Sequence, residues 1–201
     1  MKKQVQKVAN PQGKGIAGVV EDLRFYAPSC VQAKDGHQWL AEYFTSILVL
    51  GAKYSFKPTL SKNYYLYFKS GEWKLSLIEP HAWKSYDPGA FFASCILNRD
   101  MSWSMQLAED WHKDPELLNE IREQEQAFLE SMQDETPLVE KLPFFIQSLS
   151  YYQRLGANAL ARSLQRSLEL QVGNDKSLEY AGTELLAGLL RKDQSLLESI
   201  S

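Results

Sequence analysis

Apolar side chains recur at helical spacing near the start of the chain, at Ile16, Val19, Val20, Leu23 and Phe25, and Pro28 closes the run. That stripe predicts a short amphipathic helix over residues 16–26. A wider stripe extends from His37 to about Tyr54 through Leu40, Tyr43, Phe44, Ile47 and Leu48, with Val49 and Leu50 broadening it. Its width predicts a mostly buried central helix, stopped by Pro58. The period then shortens to that of a strand. Tyr64 to Phe68 form an aromatic run, Ser70-Gly71 supply a turn, and Trp73 to Ile78 run back, which together predict a hairpin ended by Pro80. Trp73, Leu75 and Leu77 share one face, so the side carrying Lys74 and Ser76 is expected to be wet. Phe91 to Leu97 predict a third strand, and Asn98-Arg99-Asp100 a turn into Met101 to Met105.

Helical spacing resumes beyond Trp111. Asp114 can cap a helix with Pro115 in its first position and Leu117, Leu118, Ile121, Phe128 and Leu129 as its stripe. Further helices are expected between Leu138 and Gln171, broken near Pro143 and again near Ser148 or Ser150, and a last one over Ser177 to Leu190. The fold class is therefore α+β: a small antiparallel sheet at about residues 64–105, packed on the 37–54 helix, with a helical C-terminal half. Residues 1–15 carry Lys2, Lys3, Lys7 and Lys14 before any acid and are expected to form a flexible basic arm. Residues 16–201 form one domain, with a sheet-containing core at 37–107 and a helical part at 112–192.

Composition narrows the class. Of 201 residues 44% are hydrophobic and 23% charged, a globular balance, and the net charge of −3 supplies no overall field toward nucleic acid or anionic lipid. Cys30 and Cys95 lack the spacing of a disulfide framework or a zinc site, so no metal or cofactor is expected and a reducing, cytoplasmic location is. The first residues lack the apolar stretch of a signal peptide, and the run Ile47 to Leu50 is too short for a membrane span.

Asn63-Tyr64-Tyr65-Leu66-Tyr67, Gly71, Leu75-Ser76-Leu77-Ile78, Pro80, Trp83, Phe91 and Asp100-Met101-Ser102-Trp103 together resemble the domain of unknown function family 2452, which includes bacterial proteins and a small human one. With Asn10 to Gly15 and Leu142-Pro143-Phe144-Phe145, the similarity to the bacterial members spans most of the chain. The resemblance implies a domain and carries no activity, ligand or cofactor.

Several groups of residues are candidates for chemistry. Lys14, in a glycine-rich stretch ahead of a helix, can meet phosphate, although the spacing of a nucleotide-binding P-loop is absent. Tyr65 and Tyr67, with Tyr64, Phe68 and Trp73, can form a base-stacking platform, but only Lys62, Lys69 and Lys74 lie near them in sequence. Arg154, Asn158, Arg162 and Arg166 recur every four residues and make a basic ridge. Residues 109–140 are acid-rich, so the two charged segments can pair with each other, with water or with an acidic partner. Cys30 or Cys95 with His37, His81 or His112, oriented by Asp87 or Asp100, are the only nucleophilic candidates, and no catalytic motif surrounds them. Asp100 reads first as a turn residue and Trp103 as its anchor, and second as part of a pocket with Trp83.

The leading expectation is a non-catalytic binding or interaction protein with a protein partner. Its surface would combine the open row of the hairpin with the arginine ridge. The alternatives are a small enzyme or metabolite-binding protein with a pocket near Trp83, Asp100 and Trp103, and a nucleic-acid binder using the hairpin and the ridge. No membrane partner is expected.

Overall fold

The structure is a computed structural model and describes residues 15–133, 136–144, 146–172 and Leu196. Residues 1–14 of the expected arm at 1–15, with Lys14, and the expected last helix at 177–190 lie outside the described residues. Four α-helices are described: α1 (Ile16–Phe25), α2 (Gly36–Gly51), α3 (Pro115–Met132) and α4 (Tyr151–Val172). Between α2 and α3 lie the strands β1 (Asn63–Lys69), β2 (Glu72–Ser76), β3 (Ala90–Leu97) and β4 (Trp103–Leu107). They pair antiparallel in the order β2-β1-β3-β4, which is the α+β architecture the patterning predicts.

Local chemistry sets the element ends. Asp35 accepts from the Gln38 backbone N–H at 2.9 Å and caps α2. Asp114 accepts from the N–H groups of Glu116 and Leu117 and caps α3, with Pro115 in the first turn. Ser70 and Gly71 both have positive φ, 49° and 76°, the pattern of a tight hairpin turn whose twist matches that of the strands. α2 ends at Gly51, short of the expected Tyr54, because Lys53 leaves the helix to close the outer edge of β2. Its N–H donates to Trp73 O at 2.8 Å, and its carbonyl accepts from the Leu75 N–H at 3.1 Å.

The core lies between one sheet face and the helices. Tyr64, Leu66, Phe68, Trp73, Leu75, Cys95, Leu97 and Trp103 pack with Phe44 and Leu48 of α2, Leu117 and Phe128 of α3, and Leu160 and Leu164 of α4. Each fully buried aliphatic or aromatic side chain contributes about 1.5–3 kcal/mol relative to exposure. A bulge between Leu66 and Tyr67 turns both Phe92 and Ala93 inward, each at 0% exposure. Polar ties align the helices: Trp39 Nε1 donates to Leu164 O at 3.0 Å, and Gln153 Nε2 donates to the carbonyls of Leu50 and Ala52 at the end of α2.

Two expectations about exposed faces are corrected. β2 stops at Ser76, whose Oγ accepts from the Ile78 N–H at 3.0 Å, so Leu77 and Ile78 leave the strand and are exposed. The other side of β2 is not open either. The connection from Leu77 to Gly89 folds back over the outer sheet face as a strap and half-buries Lys74. α1 forms where its stripe predicts, yet Ile16, Val20 and Leu23 face outward while Asp22 and Tyr26 are buried. Asp22 is accommodated by Lys57, whose Nζ donates to it at 2.7 Å while lying 4.4 Å from the centre of the Phe25 ring.

Candidate functional site

At the turn end of the β1–β2 hairpin the surface opens into a cleft of about 590 Å³. It is lined by Lys53 and Tyr54, where the chain leaves α2, by Lys69, Glu72, Trp73 and Lys74 of the hairpin, and by Tyr86 and Pro88 of the strap. Three lysines thus face one carboxylate in the lining.

The strap wall is held in place by backbone geometry. Gly89 has φ +97°, and a Cβ there would lie 2.2 Å from Phe68 O, so only glycine lets the strap meet β1 this closely. Asp87 Oδ1 accepts from the Gly89 N–H at 3.0 Å, and Lys69 Nζ donates to Asp87 Oδ2 at 3.0 Å. The Gly89 N–H first, and Lys69 second, hold the Asp87 carboxyl below the usual carboxylate range. Farther along, Trp83 Nε1 donates to the Tyr67 hydroxyl at 3.0 Å, and that hydroxyl donates to Ile78 O at 2.8 Å. Burial pushes the Tyr67 phenol above its usual value, against the opposing pull of the Trp83 hydrogen bond.

The three lysines are held differently. Lys53 pairs with Glu72 and Lys69 with Asp87, both as exposed ion pairs. Lys74 has no carboxylate partner among the described residues. Its ammonium sits 4.7 Å from the Tyr86 ring centre and 5.5 Å from that of Trp83. Trp73 borders the cleft, but its indole packs on the core face of β2 against Phe68 and Phe92, where its N–H is buried without a hydrogen-bond partner. This is a cleft with surplus positive charge and an aromatic rim, chemistry that suits an anion.

The residues singled out in the sequence are scattered by the fold. Tyr65 is half-buried on the outer sheet face, 6.3 Å from the Phe91 ring, whereas Tyr67 is only 1% exposed beneath the strap. The outer row is therefore covered where a stacking platform was expected. Trp83 packs edge-on against Tyr67 outside the sheet. Trp103 packs edge-on against Tyr64 in the core, and its backbone N–H donates to Ser46 Oγ at 2.9 Å. The sheet separates the two tryptophans, so among the described residues Trp83 and Trp103 do not face one pocket with Asp100.

Asp100 works as a tie between elements. Its Oδ1 accepts from the Ser102 N–H and hydroxyl at 3.1 and 2.7 Å, and its Oδ2 accepts from Lys34 Nζ at 2.8 Å. Lys34 also pairs with Glu42 on α2. Burial raises the Asp100 carboxyl, but the bonds from Lys34 and Ser102 outweigh it and hold the group below the usual range.

Arg154, Arg162 and Arg166 line the exposed side of α4, with Arg166 bonded to Glu169 at 3.1 Å. Among the described residues Arg154 and Arg162 make no ion pair with the acid-rich segment. The ridge belongs to the helical layer, on the other side of the sheet from the strap, so it does not join the hairpin in one surface.

Cys95 lies in the core, where burial pushes its thiol up, and Cys30 is exposed in the loop after α1. Among the described residues no group of three or more metal-capable side chains converges, and no helix is long and apolar enough to cross a membrane.

Sequence patterning alone missed Lys53, Tyr86 and Gly89. The available signal was Asp87-Pro88-Gly89, a turn sequence directly after Tyr86 and ahead of β3. Comparison with known protein families, with characterised proteins and with solved structures finds no match for this chain.

Proposed function

We propose that this is a non-catalytic binding protein whose site is the hairpin cleft and whose ligand is anionic. The observation that carries this is Lys74, a half-buried lysine whose ammonium is faced by two aromatic rings and, among the described residues, by no carboxylate. A ring face is a weaker partner for an ammonium than a charged oxygen, so an incoming anion gains a charge-assisted hydrogen bond there. Lys53 and Lys69 reinforce it, because exposed ion pairs such as theirs are weak and exchange partners readily. With no global positive field at a net charge of −3, attraction comes from this local cluster and is screened by salt.

Isothermal titration of the full chain with inorganic pyrophosphate tests the proposal. Wild type is expected to bind, Lys74→Ala to lose about tenfold in affinity, equivalent to ~1.4 kcal/mol, and Arg162→Ala to bind like wild type. Equal binding by Lys74→Ala, or a loss confined to Arg162→Ala, contradicts it.

A further inference from the structure

The cleft holds more than a bare anion requires. We infer that its ligand joins an acidic group, a phosphate monoester or carboxylate, to a flat aromatic ring of about mononucleotide size. This rests on the anion-binding proposal for the same cleft and specifies what else the ligand carries.

Three observations support it. The volume of about 590 Å³ falls in the range of sites for cofactor-sized molecules, well beyond the needs of an inorganic ion. Tyr86 is 56% exposed at the rim, yet it sits on a strap held by Gly89 and by the Trp83–Tyr67 hydrogen bond, so its ring is presented in a set position. A fixed aromatic face gives a planar ligand a stacking partner with little ordering cost. The lysines that take the acidic group border the same space: Lys74 and Lys69 lie 4.7 and 5.9 Å from the Tyr86 ring centre. Ring and cations are thus within one ligand length of each other.

The test compares inorganic phosphate, inorganic pyrophosphate and adenosine 5′-monophosphate by calorimetry on wild type, Tyr86→Ala and Tyr86→Phe, with thermal melts confirming that each variant folds. The nucleotide is expected to bind wild type about tenfold more tightly than inorganic phosphate. Tyr86→Ala removes that advantage, so that nucleotide and inorganic phosphate bind alike, and Tyr86→Phe keeps it. Pyrophosphate binding with no nucleotide advantage overturns the ring inference and leaves anion binding standing. Failure of all three probes to bind overturns both.

Discussion

Lys34 is held between two carboxylates, Glu42 and Asp100, where its side chain is only 9% exposed. Burial alone would lower its pKa, and the hydrogen bonds to Asp100 and Glu42 reverse that and raise it. A base whose pKa rises on folding contributes in full below its unfolded value, about 10.4, and loses that contribution as pH climbs through the folded one. Asp100 is the mirror case: its contribution is complete above about pH 3.9 and is lost as pH falls through its depressed folded value. Stability from the pair should therefore be flat between about pH 5 and 9 and decline on either side. Asp100→Asn is expected to cost about 2 kcal/mol at neutral pH in urea unfolding, with the difference from wild type shrinking below about pH 4. A neutral-pH cost near zero would contradict the role of Asp100 as a tie between α2 and the β3–β4 turn.

The strap is the element on which the cleft depends. Its grip on the sheet passes through the Tyr67 hydroxyl, which accepts from Trp83 and donates to Ile78. Tyr67→Phe deletes both bonds and leaves a Trp83 donor without its partner, at an expected cost of about 1–2 kcal/mol in thermal or urea unfolding. Since Tyr86 rides on the same strap, the variant should also bind adenosine 5′-monophosphate more weakly. Unchanged stability together with unchanged affinity would mean that the strap is positioned by something else.

Which of these elements the sequence could announce follows from the range of the forces involved. Alternation and turn residues placed the hairpin and the third strand, because pleat and turn chemistry act within a few neighbours. The strap was invisible for the complementary reason: period-two alternation says that Tyr65, Tyr67 and Lys74 share the side away from Leu66 and Leu75, but nothing local says that residues 77–89 return to cover it. α1 makes the same point. Its apolar stripe is real, yet the inward face is set by the ion pair between Asp22 and Lys57, partners 35 positions apart. α2 likewise ends early because Lys53 pairs with a strand that the local helical pattern does not register.

At the scale of the whole molecule, the sheet is a partition. Helices and core lie on one side of it, with Trp103 and the arginine ridge of α4, while the strap, Trp83 and the covered aromatic row lie on the other. That division explains why residues grouped by type along the chain are not grouped in space, and why the cleft appears at the hairpin's end, where α2's exit and the strap both reach the sheet. It also separates the two basic regions, the lysine cleft and the arginine ridge, by the thickness of the core. Amide chemical-shift mapping of the full chain during titration with inorganic pyrophosphate discriminates between them directly. The expected result is perturbation concentrated at residues 53–55, 69–74 and 86–89. Perturbation centred on Arg154, Arg162 and Arg166, with the hairpin end unchanged, would contradict the assignment of the cleft as the binding site.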